Sequence, residues 1–138
     1  MAHDDAAGSE PPLRIRLVRV RVPLLRVHRS AHGEEQVRDV VLVEWTTADG
    51  AVGWGECPTL SDGGYVTGTT EQAWQALVTQ LAPAALGGGG AIVAGAMAAA
   101  GALADARLDA ALRARGVALS GHLGATRRAL PRCVVLAD

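Results

Sequence analysis

The chain has 138 residues, 14 of them acidic and 13 basic, for a formal charge of −1. That length suits one domain with a real core, and the charge gives no field favouring nucleic acid or an acidic membrane. Every basic residue is arginine, so no lysine base or Schiff-base lysine is available from this chain.

The first twelve residues, MAHDDAAGSEPP, are polar and acidic. They lack the apolar run of a secretory signal and read as a disordered tail. Residues 13–24 alternate apolar side chains with arginines, the period of a strand. The phase slips where Leu17 meets Val18, which predicts a bulge there, and Pro23 closes the run. Residues 26–38 are polar, contain Gly33, and read as a loop. A second strand is expected over 37–45 and a third over 52–57, joined by an Asp49-Gly50 turn. The first half is thus a three-stranded antiparallel meander.

The second half changes period. Thr69 and Gln72 fit a capping box, and Trp74, Leu77, Val78 and Leu81 fall on one helical stripe. Pro83 and the run Gly87-Gly88-Gly89-Gly90 are expected to end that helix, the glycines forming a flexible linker. A further helix is expected over 95–115, with Met97, Ala104, Leu108, Ala111 and Leu112 on one face. Asp109 and Arg113 pair one turn apart on the other face, and Gly116 supplies the left-handed residue at the end. Residues 81–104 carry no charge. They are mostly Ala and Gly and too poor in large apolar side chains to hold a bilayer span. Residues 131–138, PRCVVLAD, read as a short buried strand. The fold class is α+β.

No residue set announces chemistry. His28, His32, Glu56, Cys57 and Cys133 are the usable metal ligands, and none shows metal-ligand spacing. Cys57 has no activating neighbour in the sequence and reads as a half-buried core thiol. The two cysteines read as free thiols in a reducing cytosol. The glycine run lacks the lysine and the preceding strand of a phosphate loop. In GWGEC, the glycines on either side of Trp54 permit close approach of another element, and Glu56 reads as a structural carboxylate. Residues 61–70, SDGGYVTGTT, form a loop on a rigid sheet, a common place for ligand contacts.

Four stretches resemble the enolase superfamily: RDVVLV at 38–43, GWGEC at 53–57, the Gly64-Tyr65 loop running on to Ala73-Trp74, and LDAALR at 108–113 followed by His122-Leu123-Gly124. The order is similar to the mandelate racemase/muconate lactonizing group, closest to its o-succinylbenzoate synthase and N-acylamino acid racemase branch. The resemblance implies an N-terminal domain, residues 13–125, that caps a modified TIM barrel. Residues 126–138 would be a linker and the first barrel strand. Two loops, matching 29–33 and 59–67, would close over a small carboxylate substrate. The substrate-contacting residues so implied are Arg29, Ser30, His32, Gly33, Leu60 and Tyr65, with Tyr65 as the aromatic contact. Catalysis would belong to barrel lysines and three acids binding Mg²⁺, which would stabilise an enediolate formed by proton removal alpha to a carboxylate. The outcome would be dehydration to o-succinylbenzoate, a menaquinone precursor, or racemisation of an N-acyl amino acid. The complete parent would be a cytoplasmic homo-oligomer. A barrel needs about 250 residues, so this chain is expected to bind no metal and to hold no catalytic residue of its own. The competing expectation is a stand-alone module that binds a small carboxylate or a barrel partner, distinguishable as a monodisperse, cooperatively melting monomer.

Overall fold

A computed structural model describes residues 10–30, 33–60, 68–126 and 129. Its sheet has the order β1-β2-β3, all antiparallel: β1 is Arg14–Ser30, β2 Gly33–Thr46 and β3 Val52–Cys57. This is the expected meander.

Three details differ from the expectation. The ladder runs without interruption from Arg14↔Thr46 to Pro23↔Val37, so no bulge lies between Leu17 and Val18. Strict alternation therefore places Ile15, Leu17, Arg19 and Arg21 on one face and Val18, Val20 and Val22 on the other. The helix-facing side tolerates the two arginines because ion pairs replace apolar contacts there. Arg19 lies 3.2 Å from Asp39 and 2.6 Å from Glu71, and Arg21 lies 3.4 Å from Asp39. Pro23 does not close the strand either. It sits on the edge strand, where a missing N–H is tolerated. Residues 26–38, expected as a loop, form the outer part of a long hairpin. The register shifts only between Pro23 and His28 and then resumes through Ser30↔Gly33. Polar residues suit this stretch because solvent lies on both its faces, and Arg29 pairs across the rungs with Glu34 at 2.6 Å.

The Asp49-Gly50 turn forms as expected, with Gly50 at φ +86° and its N–H donating to the Thr47 carbonyl. Pro12 is buried, and the Leu13 N–H donates to the Thr46 carbonyl, so order begins ahead of β1.

Helix α1, Thr70–Ala76, begins with the expected capping box. The Gln72 N–H donates to Thr69 Oγ1, and the Thr69 N–H donates to Gln72 Oε1. A π-helical turn, Leu77–Leu81, then joins it to α2, Ala82–Leu86. Pro83 therefore does not end the helix. Its ring would clash with the Thr79 carbonyl in a regular helix, and the wide turn just upstream relieves that clash. The same turn shifts the buried stripe: Leu77 and Leu81 are buried, as expected, while Val78 turns outward. The glycine run is an ordered cap. Gly88 is left-handed at φ +76°, its N–H donates to the Ala85 carbonyl, and the Gly89 N–H donates to that of Ala84. That is the Schellman pattern.

Helix α3, Met97–Ala114, covers the sheet and is followed by α4, Leu119–His122. Its buried residues are Ala99, Ala102, Ala106, Ala110 and Leu112; of the expected face, Leu112 is buried and Leu108 and Ala111 half-buried, while Met97 and Ala104 are exposed. The reason lies in β3. A Cβ on Gly53 would sit 2.2 Å from the Ala106 carbonyl oxygen and 2.1 Å from the Ala110 nitrogen. One on Gly55 would sit 1.9 Å from the Ala102 carbonyl oxygen. The glycines admit the helix backbone itself, so only alanines fit beneath it. Gly116 ends α3 as expected, at φ +64°, with the Val117 N–H donating to the Leu112 carbonyl. The strand expected within residues 131–138 lies outside the described residues.

Candidate functional site

Sheet order fixes which loops share an end. The hairpin turn between β1 and β2 and the exit of β3 lie at the same end of the sheet. Cys57, the last residue of β3, pairs with Val41, eight positions from Gly33 along β2. At about 3.3 Å per residue, the hairpin reaches about 26 Å past the end of β3. It stands as a long arm beside the segment that leaves Cys57.

That segment is firmly seated. Thr59 Oγ1 donates to Thr70 Oγ1 at 3.0 Å, and Thr70 Oγ1 donates to the Thr59 carbonyl at 3.1 Å; both residues are buried. Leu60 forms a parallel bridge with Thr69, and the Thr70 N–H donates to the Leu60 carbonyl. Thr59 and Leu60 are thus held to Thr69 and Thr70 at the start of α1. The capping box, two buried hydroxyls and the bridge all act at one place.

The sequence-derived contact residues divide as follows. Arg29 stands near the hairpin end with its guanidinium engaged by Glu34. The backbones of Ser30 and Gly33 form the last rung, and Gly33 has φ +128°, a conformation that favours glycine. Leu60 is half-buried at the bridge. The topology thus brings Arg29, Gly33 and Leu60 to one end of the sheet. His32 and Tyr65 lie outside the described residues, as does the Ser30 side chain. Thr59, Thr70 and Glu34 were not singled out from the sequence. The doublet Thr69-Thr70 signals a helix cap, and nothing local shows that its second hydroxyl turns back to Thr59.

Of the remaining candidates, Cys57 belongs to the core, whereas Glu56, expected as a structural carboxylate, has no described partner. Cys57 is fully buried between the sheet and α3, and that burial pushes its thiol pKa up. A thiol held neutral is a poor nucleophile. In a Cys133→Ser background, Cys57 should therefore resist an aromatic disulfide reagent at neutral pH and react only on unfolding. Rapid labelling of the folded chain would contradict this placement. The sign for stability follows: the raised pKa holds the thiol neutral in the fold. Its contribution is complete below the ordinary thiol range and is lost as pH rises through and above that range. Glu56 is exposed on the face away from α3, where no described group donates to it. The Trp54 N–H on the sheet edge instead finds Asp109 of α3 at 2.9 Å, and Arg113 reaches the same carboxylate at 2.8 Å. The i,i+4 pair expected on α3 is present, and its acid also fastens helix to sheet.

On the face away from the helices, Glu44 is 5 % exposed and takes Arg14 at 3.0 Å and Arg16 at 2.5 Å. Arg16 also lies 5.7 Å from the Trp54 ring centre. These contacts join the three strands. Among the described residues, no three His, Cys, Asp or Glu side chains are placed to hold a metal ion, and no helix is long and apolar enough to cross a membrane. The described residues offer no base near a free nucleophile.

A three-stranded meander with an Ala-rich helix laid on its glycines, and with the Ser30-Gly33 rung and the Thr59-Leu60 segment at one end of the sheet, has the α+β architecture of an N-terminal capping domain. The chain is similar to the first third of enolase-superfamily enzymes of the mandelate racemase/muconate lactonizing group. No family model matches it. It is 33 % identical over 127 residues to the N-succinylamino acid racemase of an Amycolatopsis species, covering 85 % of this chain and 34 % of that protein. A solved structure described as a probable mandelate racemase, from Alicyclobacillus acidocaldarius, is 30 % identical at a TM-score of 0.70. It matches 82 % of this chain and 33 % of its own. A mandelate racemase/muconate lactonizing-type structure from Roseovarius nubinhibens, complexed with magnesium, is 30 % identical at a TM-score of 0.50, over 56 % of this chain and 21 % of its own. The chain spans about a third of the length of the racemase and of the Alicyclobacillus protein.

Proposed function

We propose that this chain is the specificity-setting cover of an enolase-superfamily enzyme acting on a small carboxylate, by racemisation of an N-acyl amino acid or by o-succinylbenzoate-type dehydration. One observation carries the reading: the sheet brings the Ser30-Gly33 end of the β1-β2 hairpin and the Thr59-Leu60 segment to the same end, and the second is bonded to Thr69 and Thr70. A cover needs that combination, two adjacent arms on a rigid base. Its work is to exclude water and hold the substrate while groups elsewhere move the proton. In such an enzyme Mg²⁺ steadies the charge that develops on the carboxylate. The described residues do not fit that ion, so the reading assigns it to the part of the enzyme beyond the cap.

The test has two arms. Purified residues 1–138 should give no turnover of an N-succinyl amino acid or of the cyclohexadiene precursor of o-succinylbenzoate. Grafted in place of the matching first third of the Amycolatopsis racemase, the chain should restore racemisation, and Arg29→Ala in that chimera should raise KM several-fold more than it lowers kcat. Turnover by the isolated chain, or a folded but dead chimera, would refute the proposal.

A further inference from the structure

At the opposite end of the sheet from the hairpin turn, a half-open cavity of about 180 Å³ lies between the end of β2, the glycine cap of α2 and the middle of α3. Trp45, Leu81 and Leu103 line it, and at its rim stand Arg107 and Glu10. Both rim residues are exposed, and neither has an ion-pair or hydrogen-bond partner among the described residues. In this they differ from Arg14, Arg16, Arg19, Arg29, Arg38 and Arg113, each of which holds a carboxylate within 3.2 Å. An apolar hollow bordered by one unengaged cation and one unengaged anion matches a small molecule with the same three parts.

We propose that this cavity binds a free α-amino acid with an aliphatic side chain. The carboxylate faces the Arg107 guanidinium, which presents paired N–H donors to such a group. The ammonium faces the Glu10 carboxylate, and the side chain lies along Trp45 and Leu103. The size is in keeping: a 150 Å³ apolar cavity in another protein takes up benzene. The inference is independent of the capping role, because the cavity lies at the opposite end of the sheet from Gly33 and the Thr59-Leu60 segment.

Trp45 supplies the readout through its indole N–H resonance in a nitrogen-15 proton correlation spectrum. L-Leucine should shift that resonance saturably. N-Acetyl-L-leucine and L-leucinamide, each lacking one of the two charges, should bind at least tenfold more weakly. Arg107→Gln and Glu10→Gln should each weaken L-leucine about tenfold; both positions are exposed, so the fold should survive, and an unchanged melting midpoint without ligand verifies it. Leu103→Trp, which fills the hollow, should abolish the shift. No saturable shift up to the solubility limit overturns the proposal. So does equal binding of the three compounds, or L-leucine binding that ignores the Arg107 and Glu10 substitutions.

Discussion

Gly55→Ala is expected to lower the stability of this domain by about 3 kcal/mol or more, an unusually large effect for one added methyl group. The new Cβ would lie 1.9 Å from the Ala102 carbonyl oxygen and 2.8 Å from its carbon. Both are backbone atoms of α3, so no side chain can rotate away. Either the helix lifts from β3 or the strand bends. Lifting the helix would loosen its contacts over Gly53 as well, where a Cβ would meet backbone atoms at 2.1 and 2.2 Å. It would also stretch the bond from the Trp54 N–H to Asp109. With a urea slope of roughly 1.5 kcal/mol per molar, the unfolding midpoint should fall by about 2 M. Gly101→Ala is the control. It lies on the exposed face of the same helix with nothing within 4 Å of its added Cβ. It should raise stability by about 0.5–1 kcal/mol, since alanine loses less backbone freedom on folding. If the two substitutions moved the midpoint equally, α3 would not be seated on the glycines of β3.

The second large effect is expected at Thr70. Thr70→Val keeps the shape of the side chain and removes one hydroxyl. That hydroxyl accepts from Thr59 Oγ1 and donates to the Thr59 carbonyl. Valine strands both Thr59 groups in a place 3 % exposed to solvent. Leaving buried polar groups unpaired costs about 1–3 kcal/mol. Serine, which restores the hydroxyl, should recover most of the loss. The functional consequence separates this residue from an ordinary core position. In the racemase chimera, Thr70→Val should raise KM, because the segment from Thr59 to Thr69 loses its anchor, while Thr70→Ser should leave KM near the parent value. A stability loss with no change in KM would mean that the clamp supports the fold but not the cover.

These two positions also show what was legible in the chain. The glycines of GWGEC announce a close approach because glycine inside a strand otherwise only weakens it. They do not say which helix arrives or which face it turns. Of the α3 stripe chosen by hydrophobicity, Leu112 is buried but Met97 and Ala104 are not, because over Gly53 and Gly55 the neighbour has no side chains to interlock with and small residues win over large. Thr70 reads as part of a helix start. Its second role needs Thr59, eleven positions earlier, and exists only once β3 and α1 are side by side. Likewise, the polar stretch 26–38 lacks the alternation that marks a half-buried strand because both its faces meet water. Cross-strand pairing, not burial, makes it extended.

By itself, the sequence determined the meander, the turn at Asp49-Gly50, the capping box at Thr69 and the stop at Gly116, because each depends on neighbours within a few residues. Motifs kept in order along the chain also carried the resemblance to the enolase superfamily. Only the tertiary structure decided which face of α3 is buried, that the helix runs through Pro83 by way of a π turn, and that the hairpin turn and the Thr59-Leu60 segment rise at one end of the sheet. Those outcomes depend on contacts between residues far apart in sequence, where backbone clearance and cross-strand charge outweigh local preference.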